Sequence, residues 1–431
     1  MAEALKVGLL GFGVVGGATA RVLLEHADEV SRRAGVAIEL ARIAVRDRSK
    51  VRAIALSEDL FTTSPEEIVS DPSIDVVVEL MGGSEPARTL LLEAIANKKH
   101  VVTANKELLS TFGREVMSAA ETNGVDLLFE ASVGGGIPII RPLRESLAGD
   151  RVTRVLGIVN GTTNFVLTRM SEMGESFDEA LAHATRLGYA EADPSADIDG
   201  HDAAAKIAIL ASLAFDARVV ASDVTREGIR SISRADIAAA HQLGYEVKLL
   251  AIAEIEDGQI SARVNPGMVP RTHPLASVRD VFNAVFVEGN EVGEVMFLGR
   301  GAGGGPTATA VIGDIIEIAR NVAQGAKSPA YVGFHADARI RPAAEVAARY
   351  YVVLSVSDQP GVLAEVAGTF ARHGVSIASV RQEGTGDEAT LMLITHSSSE
   401  GSHRATFADL SSLSSVKSID STIRVEGAPE G

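Results

Sequence analysis

Cysteine is absent from the 431-residue chain, which excludes disulfides, a thiolate nucleophile and cysteine-ligated metal. Tryptophan is absent too, and 13 Phe and 5 Tyr are the only aromatics, so the cores must be built from Ala, Val, Ile and Leu. Such cores suit parallel sheets covered by helices. Positive charge is in deficit: the formal net charge of −17 repels phosphate backbones and anionic bilayers, which argues against nucleic-acid and membrane partners. No apolar run reaches the roughly 18 residues of a membrane span, and no basic segment followed by a long apolar core opens the chain. These absences predict a cytoplasmic protein.

What is present is length, apolar residues and glycine. At 431 residues, with a 46% hydrophobic fraction, two or three domains are expected. The 41 glycines cluster, which marks special backbone rather than low complexity. Over the first 130 residues short apolar runs alternate with helical stretches: Lys6–Leu10, Ile38–Val45, Ile74–Met81, His100–Ala104 and Asp126–Glu130 read as strands. Strands buried on both faces and separated by helices predict a Rossmann-type doubly wound parallel sheet over residues 1–130, completed by a helix from about 301–325. Residues 131–300 read as a mixed α+β domain for substrate and dimerisation, and 326–346 as a linker. Residues 347–431 run strand, helix, strand, strand, helix, strand.

Gly11-Phe12-Gly13-Val14-Val15-Gly16 follows the first strand directly and opens a helix. Gly11 permits the tight turn, Gly13 lets backbone approach a pyrophosphate, and Gly16 allows close helix–strand packing. The N–H groups around Val14 and Val15 then face the anion at a helix N-terminus. Just past the second strand stand Arg46-Asp47-Arg48, then Lys50 and Arg52. Arginine there accommodates a ribose 2′-phosphate, so Arg46 points to NADP over NAD; an ordinary solvated charged loop stays open as the alternative. Ser84 and Lys106 lie beyond the carboxyl ends of the third and fourth strands, where ligands bind in such sheets. Lys106 there meets a phosphate or a substrate carboxylate, or is a plain surface charge.

The most informative stretch runs from Gly188 to Lys206, GYAEADPSADIDGHDAAAK. Acidic residues crowd ahead of a helix on which Asp202 and Lys206 are spaced i, i+4 and so share one face. That face continues into Ile209 and Leu210, which implies partial burial, and a buried lysine needs a partner or a purpose. An ordinary helix ion pair, contributing about 0.3–0.5 kcal/mol, is the competing account.

Ala184, Gly188, Asp193-Pro194, Asp197, Gly200, Asp202 and Lys206 together resemble the signature of the homoserine dehydrogenases. The glycine turn, Asn105-Lys106, the loop from Glu130 to Ile137 and Gly161-Thr162 also look like that family, over about residues 5–325. The resemblance implies reversible, NAD(P)-dependent interconversion of L-aspartate 4-semialdehyde and L-homoserine in threonine, methionine and isoleucine biosynthesis. It implies Lys206 as proton donor and Asp202 as the group orienting both the lysine and the reacting hydroxyl. Glu191 would hold the substrate ammonium, with Thr162 and Asp197 as further substrate contacts. Lys106 would serve the carboxylate, the nicotinamide end or proton transfer, and Gly188 and Gly303 would touch the cofactor. It also suggests a monovalent cation such as Na+ at Glu130, Val133, Gly135 and Ile137; a tight structural turn is the competing account of that loop.

Asp358-Gln359-Pro360-Gly361-Val362-Leu363 and Gly374-Val375-Ser376-Ile377 resemble an ACT domain of ferredoxin-like βαββαβ order. That implies a bound amino acid, threonine being the expected effector, and a homodimer or homotetramer; an oligomerisation module without a ligand stays open as the alternative. Two rival readings stand beside this one: a sensor of nucleotide and amino acid without catalysis, and another ACT-bearing amino- or hydroxy-acid dehydrogenase.

Overall fold

The structure, a computed structural model, describes residues 4–50, 54, 56–384 and 389–427, so Arg52 lies outside the described residues. Six parallel strands form the first sheet: β1 (Leu5–Leu10), β2 (Ile38–Ala44), β3 (Phe61–Thr62), β4 (Val76–Glu79), β5 (His100–Thr103) and β6 (Leu127–Leu128). Their spatial order is β3-β2-β1-β4-β5-β6, the doubly wound order that places a ligand crevice beside β1, where the winding reverses. Val76, Val77, Val78, Val101 and Val102 have no solvent exposure, as expected of strands covered on both faces. Helices α1 (Val14–Glu25) and α2 (Lys106–Asn123) start at the carboxyl ends of β1 and β5.

The second sheet begins with five antiparallel strands, β7 (Val152–Ile158), β8 (Tyr245–Glu256), β9 (Gln259–Pro270), β10 (Phe282–Gly289) and β11 (Gly293–Arg300). Helices α3 (Gly161–Met173) and α4 (His201–Ala214) pack on it. Helix α5 (Gly304–Gln324) then returns to lie against α1; a Cβ on Gly304 would stand 3.0 Å from the Val14 carbonyl oxygen.

The C-terminal strands β12 (Tyr350–Val356), β13 (Ile377–Glu383), β14 (Ala389–Thr395) and β15 (Val416–Val425) enclose helices α6 (Val362–Arg372) and α7 (Glu400–Leu410). Their order, β15-β12-β14-β13, is the ferredoxin-like arrangement of the ACT expectation. This sheet does not stand apart. Strand β15 pairs in parallel with β9 through Gly267↔Arg424 and Met268↔Val425, so one sheet runs through both domains. Buried Glu426 fastens the seam, with Arg154 2.9 Å and Arg263 3.2 Å away.

Residues 326–346, a linker by their sequence, pack closely on both preceding domains. Tyr331 and Phe334 are buried, with the Phe129 ring 4.5 Å from the first and 6.1 Å from the second. A Cβ on Gly333 would stand 1.7 Å from the Ser212 carbonyl oxygen. Anchors so irregularly spaced leave no periodicity to read. Among the described residues no helix is long and apolar enough to cross a membrane.

Candidate active site

The Gly11–Gly16 turn is shaped by close backbone approach. Gly11 has φ 105°, and a Cβ on Gly16 would lie 2.3 Å from the Gly11 carbonyl oxygen. At Gly13 a Cβ would meet nothing within 4 Å, so space is open above the turn. Among the described residues no side chain caps the N-terminus of α1, and none caps α5 at Gly303, which has φ 114°. Two helix N-termini with unsatisfied N–H groups therefore sit side by side through the Gly304–Val14 contact. That arrangement suits the pyrophosphate of a dinucleotide. Arg46 is exposed at the second position beyond β2, one residue later than the sequence reading placed it.

The carboxyl edge of β4 and β5 is organised by buried Glu79. It accepts from the Met81 amide (2.7 Å), the Gly82 amide (3.1 Å) and the Thr103 hydroxyl (2.7 Å). Half-buried Ser84 follows the Gly82–Gly83 turn, and Asn105 donates to the Gly83 carbonyl (2.6 Å). Asn105 also caps α2, which fixes Lys106 as that helix's first residue.

Lys106 reaches across to the second domain. Its Nζ lies 2.9 Å from Asp202 Oδ1, while Lys206 Nζ lies 2.7 Å from Asp202 Oδ2 and donates to the Val159 carbonyl at 2.7 Å. Asp202 is 8% exposed and Lys206 9%. Burial alone would push the Asp202 carboxyl up; the ammonium groups of Lys206 and Lys106 overcome it and hold the group well below the usual carboxylate range. Lys106 is raised by the facing Asp202 charge, against its own desolvation. Residues 96 positions apart, on two domains, thus converge on one carboxylate.

Asn160 is the residue the sequence reading left without a role. It caps α3, accepting from the Thr163 amide, and its Nδ2 donates to Asp197 Oδ1 at 2.7 Å and Asp202 Oδ2 at 2.9 Å. An asparagine ahead of Gly-Thr-Thr is an N-cap signal, but its second task depends on partners 37 and 42 residues away. Thr162 donates to the Tyr189 carbonyl at 2.7 Å, tying the stretch that carries exposed Glu191 to the start of α3. Gly188, with φ 77°, lies just past the helix Phe177–Arg186, after which the Tyr189 amide turns back to the Ala184 carbonyl. That is the local demand for a glycine there.

The Glu130–Ile137 loop differs from its expected use in one respect. Both Glu130 carboxylate oxygens accept main-chain amides, from Ile139 (2.7 Å), Ile140 (2.9 Å) and Arg141 (2.9 Å). Most of its accepting capacity is taken by the fold, so most of a cation's oxygens would come from main-chain carbonyls such as those of Val133, Gly135 and Ile137. Among the described residues no cluster of three or more acidic or histidine side chains is arranged to hold a metal ion.

A buried carboxylate carrying two ammonium groups, set beside a dinucleotide turn, equips a nicotinamide-dependent oxidoreductase acting on a CH–OH group. The family models agree: residues 11–130 match the NAD-binding domain of homoserine dehydrogenase, residues 138–316 the homoserine dehydrogenase domain, and residues 350–413 the ACT domain. The chain belongs to the homoserine dehydrogenase family. It is 48% identical to the homoserine dehydrogenase of Synechocystis, covering 98% of this chain and 99% of that one, and 40% identical to that of Bacillus subtilis, covering 99% of each. Among solved structures, a homoserine dehydrogenase from Thiobacillus denitrificans superposes with a TM-score of 0.93 at 42% identity over 98% of both chains. A hyperthermophilic archaeal homoserine dehydrogenase in complex with NADPH superposes with a TM-score of 0.63 at 31% identity, over 73% of this chain and 98% of that one.

Proposed function

We propose that this protein reduces L-aspartate 4-semialdehyde to L-homoserine, reversibly, with Lys206 as the proton donor. The observation that carries the reading is the Lys106–Asp202–Lys206 arrangement at the carboxyl edge of the first sheet. When bound, the nicotinamide cofactor supplies the hydride. An ammonium has three donors, and Lys206 uses one on Asp202 and one on Val159, so the third remains for the aldehyde oxygen. As negative charge gathers on that oxygen, the nearby ammonium stabilises it and then releases its proton to give the alcohol. Asp202 faces both ammonium groups and holds Lys106 charged beforehand. Glu191 is assigned to the substrate ammonium, and Thr162 and Asp197 to further substrate contacts; Lys106 serves the substrate carboxylate or the nicotinamide end.

We assign NADPH as the preferred cofactor, with Arg46 meeting the 2′-phosphate and Gly188 and Gly303 flanking the dinucleotide. The relative solved with NADPH supports this. The test is the initial rate of NADPH and NADH oxidation with the semialdehyde, repeated in Arg46→Asp. Wild-type turnover favouring NADPH, falling about tenfold or more in preference in the variant, is the expected outcome. Equal use of both cofactors by both proteins removes Arg46 from the reading, and no turnover with either removes the function.

The C-terminal domain we assign to threonine, bound where two copies pair along β13, whose exposed residues include Val380. A homodimer or homotetramer in the cytoplasm, with a monovalent cation on the Glu130–Ile137 main chain, completes the proposal. Because β15 is built into the catalytic sheet, the threonine test uses the full chain. Calorimetric heat and inhibition at millimolar threonine are expected, and the absence of both rejects the assignment.

A further inference from the structure

Between the ACT domain and the catalytic carboxylate runs a short bridge, residues 225–230. Thr225–Arg226 pairs in parallel with Arg263 and Val264 of β9, and the Glu227 amide donates to the Val264 carbonyl at 2.8 Å. Its other side rests on the turn Ser195–Gly200. The Ile229 amide donates to the Ile198 carbonyl at 2.9 Å, and a Cβ on Gly228 would stand 2.2 Å from that same oxygen. Arg230 clamps Asp199, with Nε 2.6 Å from one carboxylate oxygen. That turn carries Asp197, which accepts from Asn160 at 2.7 Å, and Asn160 holds Asp202 at 2.9 Å. From the ACT side, Arg424 on β15 donates to Glu227 Oε2 at 2.8 Å. Its guanidinium is preset by Glu400, 2.7 Å away, and by the Tyr350 ring, 5.3 Å below it.

We propose that Arg424, a residue of the C-terminal domain, is a positioning residue for the reduction: through Glu227 it anchors the bridge that sets Asp197, Asn160 and thereby Asp202. The inference rests on the proposed reaction at that carboxylate. Four consecutive links are hydrogen-bonded or in backbone contact, and none involves the dinucleotide turn. Loosening the bridge therefore acts on the substrate side of the site and leaves the cofactor side alone. A guanidinium fixed on two sides is suited to this, because its planar donors hold both carboxylates in one geometry.

The experiment compares Arg424→Met, Glu227→Gln, the double variant and Arg424→Lys in the full-length enzyme. Arg372→Met, an exposed pair to Asp409 in the same domain, serves as control. We expect the KM for aspartate 4-semialdehyde to rise roughly fivefold to tenfold in Arg424→Met, with the NADPH dissociation constant by fluorescence unchanged. The double variant should be no worse than the worse single one, as for two residues acting through one contact, and Arg424→Lys, which keeps the charge without the planar fork, should recover only part of the loss. Amide hydrogen exchange across 195–200 should speed up in Arg424→Met and stay as in the wild type in Arg372→Met. Exchange reads the bridge without reference to any substrate, so an inactive wild-type enzyme would overturn the function while leaving the coupling measurable. A wild-type KM in Arg424→Met overturns the proposal, as do unchanged exchange at 195–200 and parallel weakening of NADPH binding.

Discussion

Lys206→Met lowers kcat for semialdehyde reduction by roughly a thousandfold or more, with the NADPH dissociation constant within about twofold of wild type. Methionine matches the lysine stem in length and removes only the ammonium, so α4 keeps its packing among Ala203, Ile207 and Leu210, all buried. What is lost is the donor to the aldehyde oxygen and one of the two charges on Asp202. Lys106 remains 2.9 Å from the carboxylate and keeps it ionised, which limits the harm to the fold. Rapid-quench or stopped-flow traces at saturating NADPH would check the outcome. A variant retaining a tenth of the wild-type rate would show that Lys106, or water, delivers the proton instead.

The second large effect separates two glycines of one turn. In Gly16→Ala the added carbon falls 2.3 Å from the Gly11 carbonyl oxygen, a backbone atom that cannot rotate away. Helix α1 must shift off β1, at a cost of about 1–3 kcal/mol for an overpacked contact, and the N–H groups that receive the pyrophosphate move with it. Lower Tm and NADPH affinity weakened roughly a hundredfold should appear together. Gly13→Ala behaves differently. Its φ of −80° suits any residue and nothing lies within 4 Å of the new carbon, so the fold keeps its stability or gains a few tenths of a kcal/mol. Yet that carbon occupies the open space the dinucleotide needs, and NADPH binding should fall at unchanged Tm. Thermal melts with and without NADPH distinguish the two patterns; identical behaviour of both variants would mean the turn is structural only.

The first sheet was legible because its strands are written as uninterrupted apolar runs bounded by helices, as in Ile74–Met81 around observed β4. The ACT strands were legible for the opposite reason: Ala389–Thr395 alternates buried and half-buried residues, and Tyr350–Val356 is bounded by a clear turn. Strand β8 escaped. Val247–Ala253 is buried residue after residue, so period-two alternation is lost, and the composition reads equally as helix. The turn after it was a usable signal, since Asp257-Gly258, with φ 52° and 73°, is a two-residue hairpin turn of the kind that joins β8 to β9. In the site, Asp202 and Lys206 could be paired from helical spacing alone. Lys106 could be placed at a sheet edge, but its meeting with Asp202 and the part played by Asn160 depend on how two domains dock, which local pattern does not encode. The hold of the Glu130 carboxylate on the amides of 139–141 was not legible, because main-chain partners leave no trace in a sequence.

The seam between β9 and β15 has a consequence for how the molecule comes apart. Family models divide the chain at its domain boundaries, whereas hydrogen bonds and the Arg154–Glu426–Arg263 cluster cross the last of them. Cooperative units of unfolding follow contacts, not modules. The amides of 267–268 and 424–426 belong to one such unit, so β15 closes a sheet whose other half was made more than 150 residues earlier. Folding of the catalytic half is then complete only once β15 has been made.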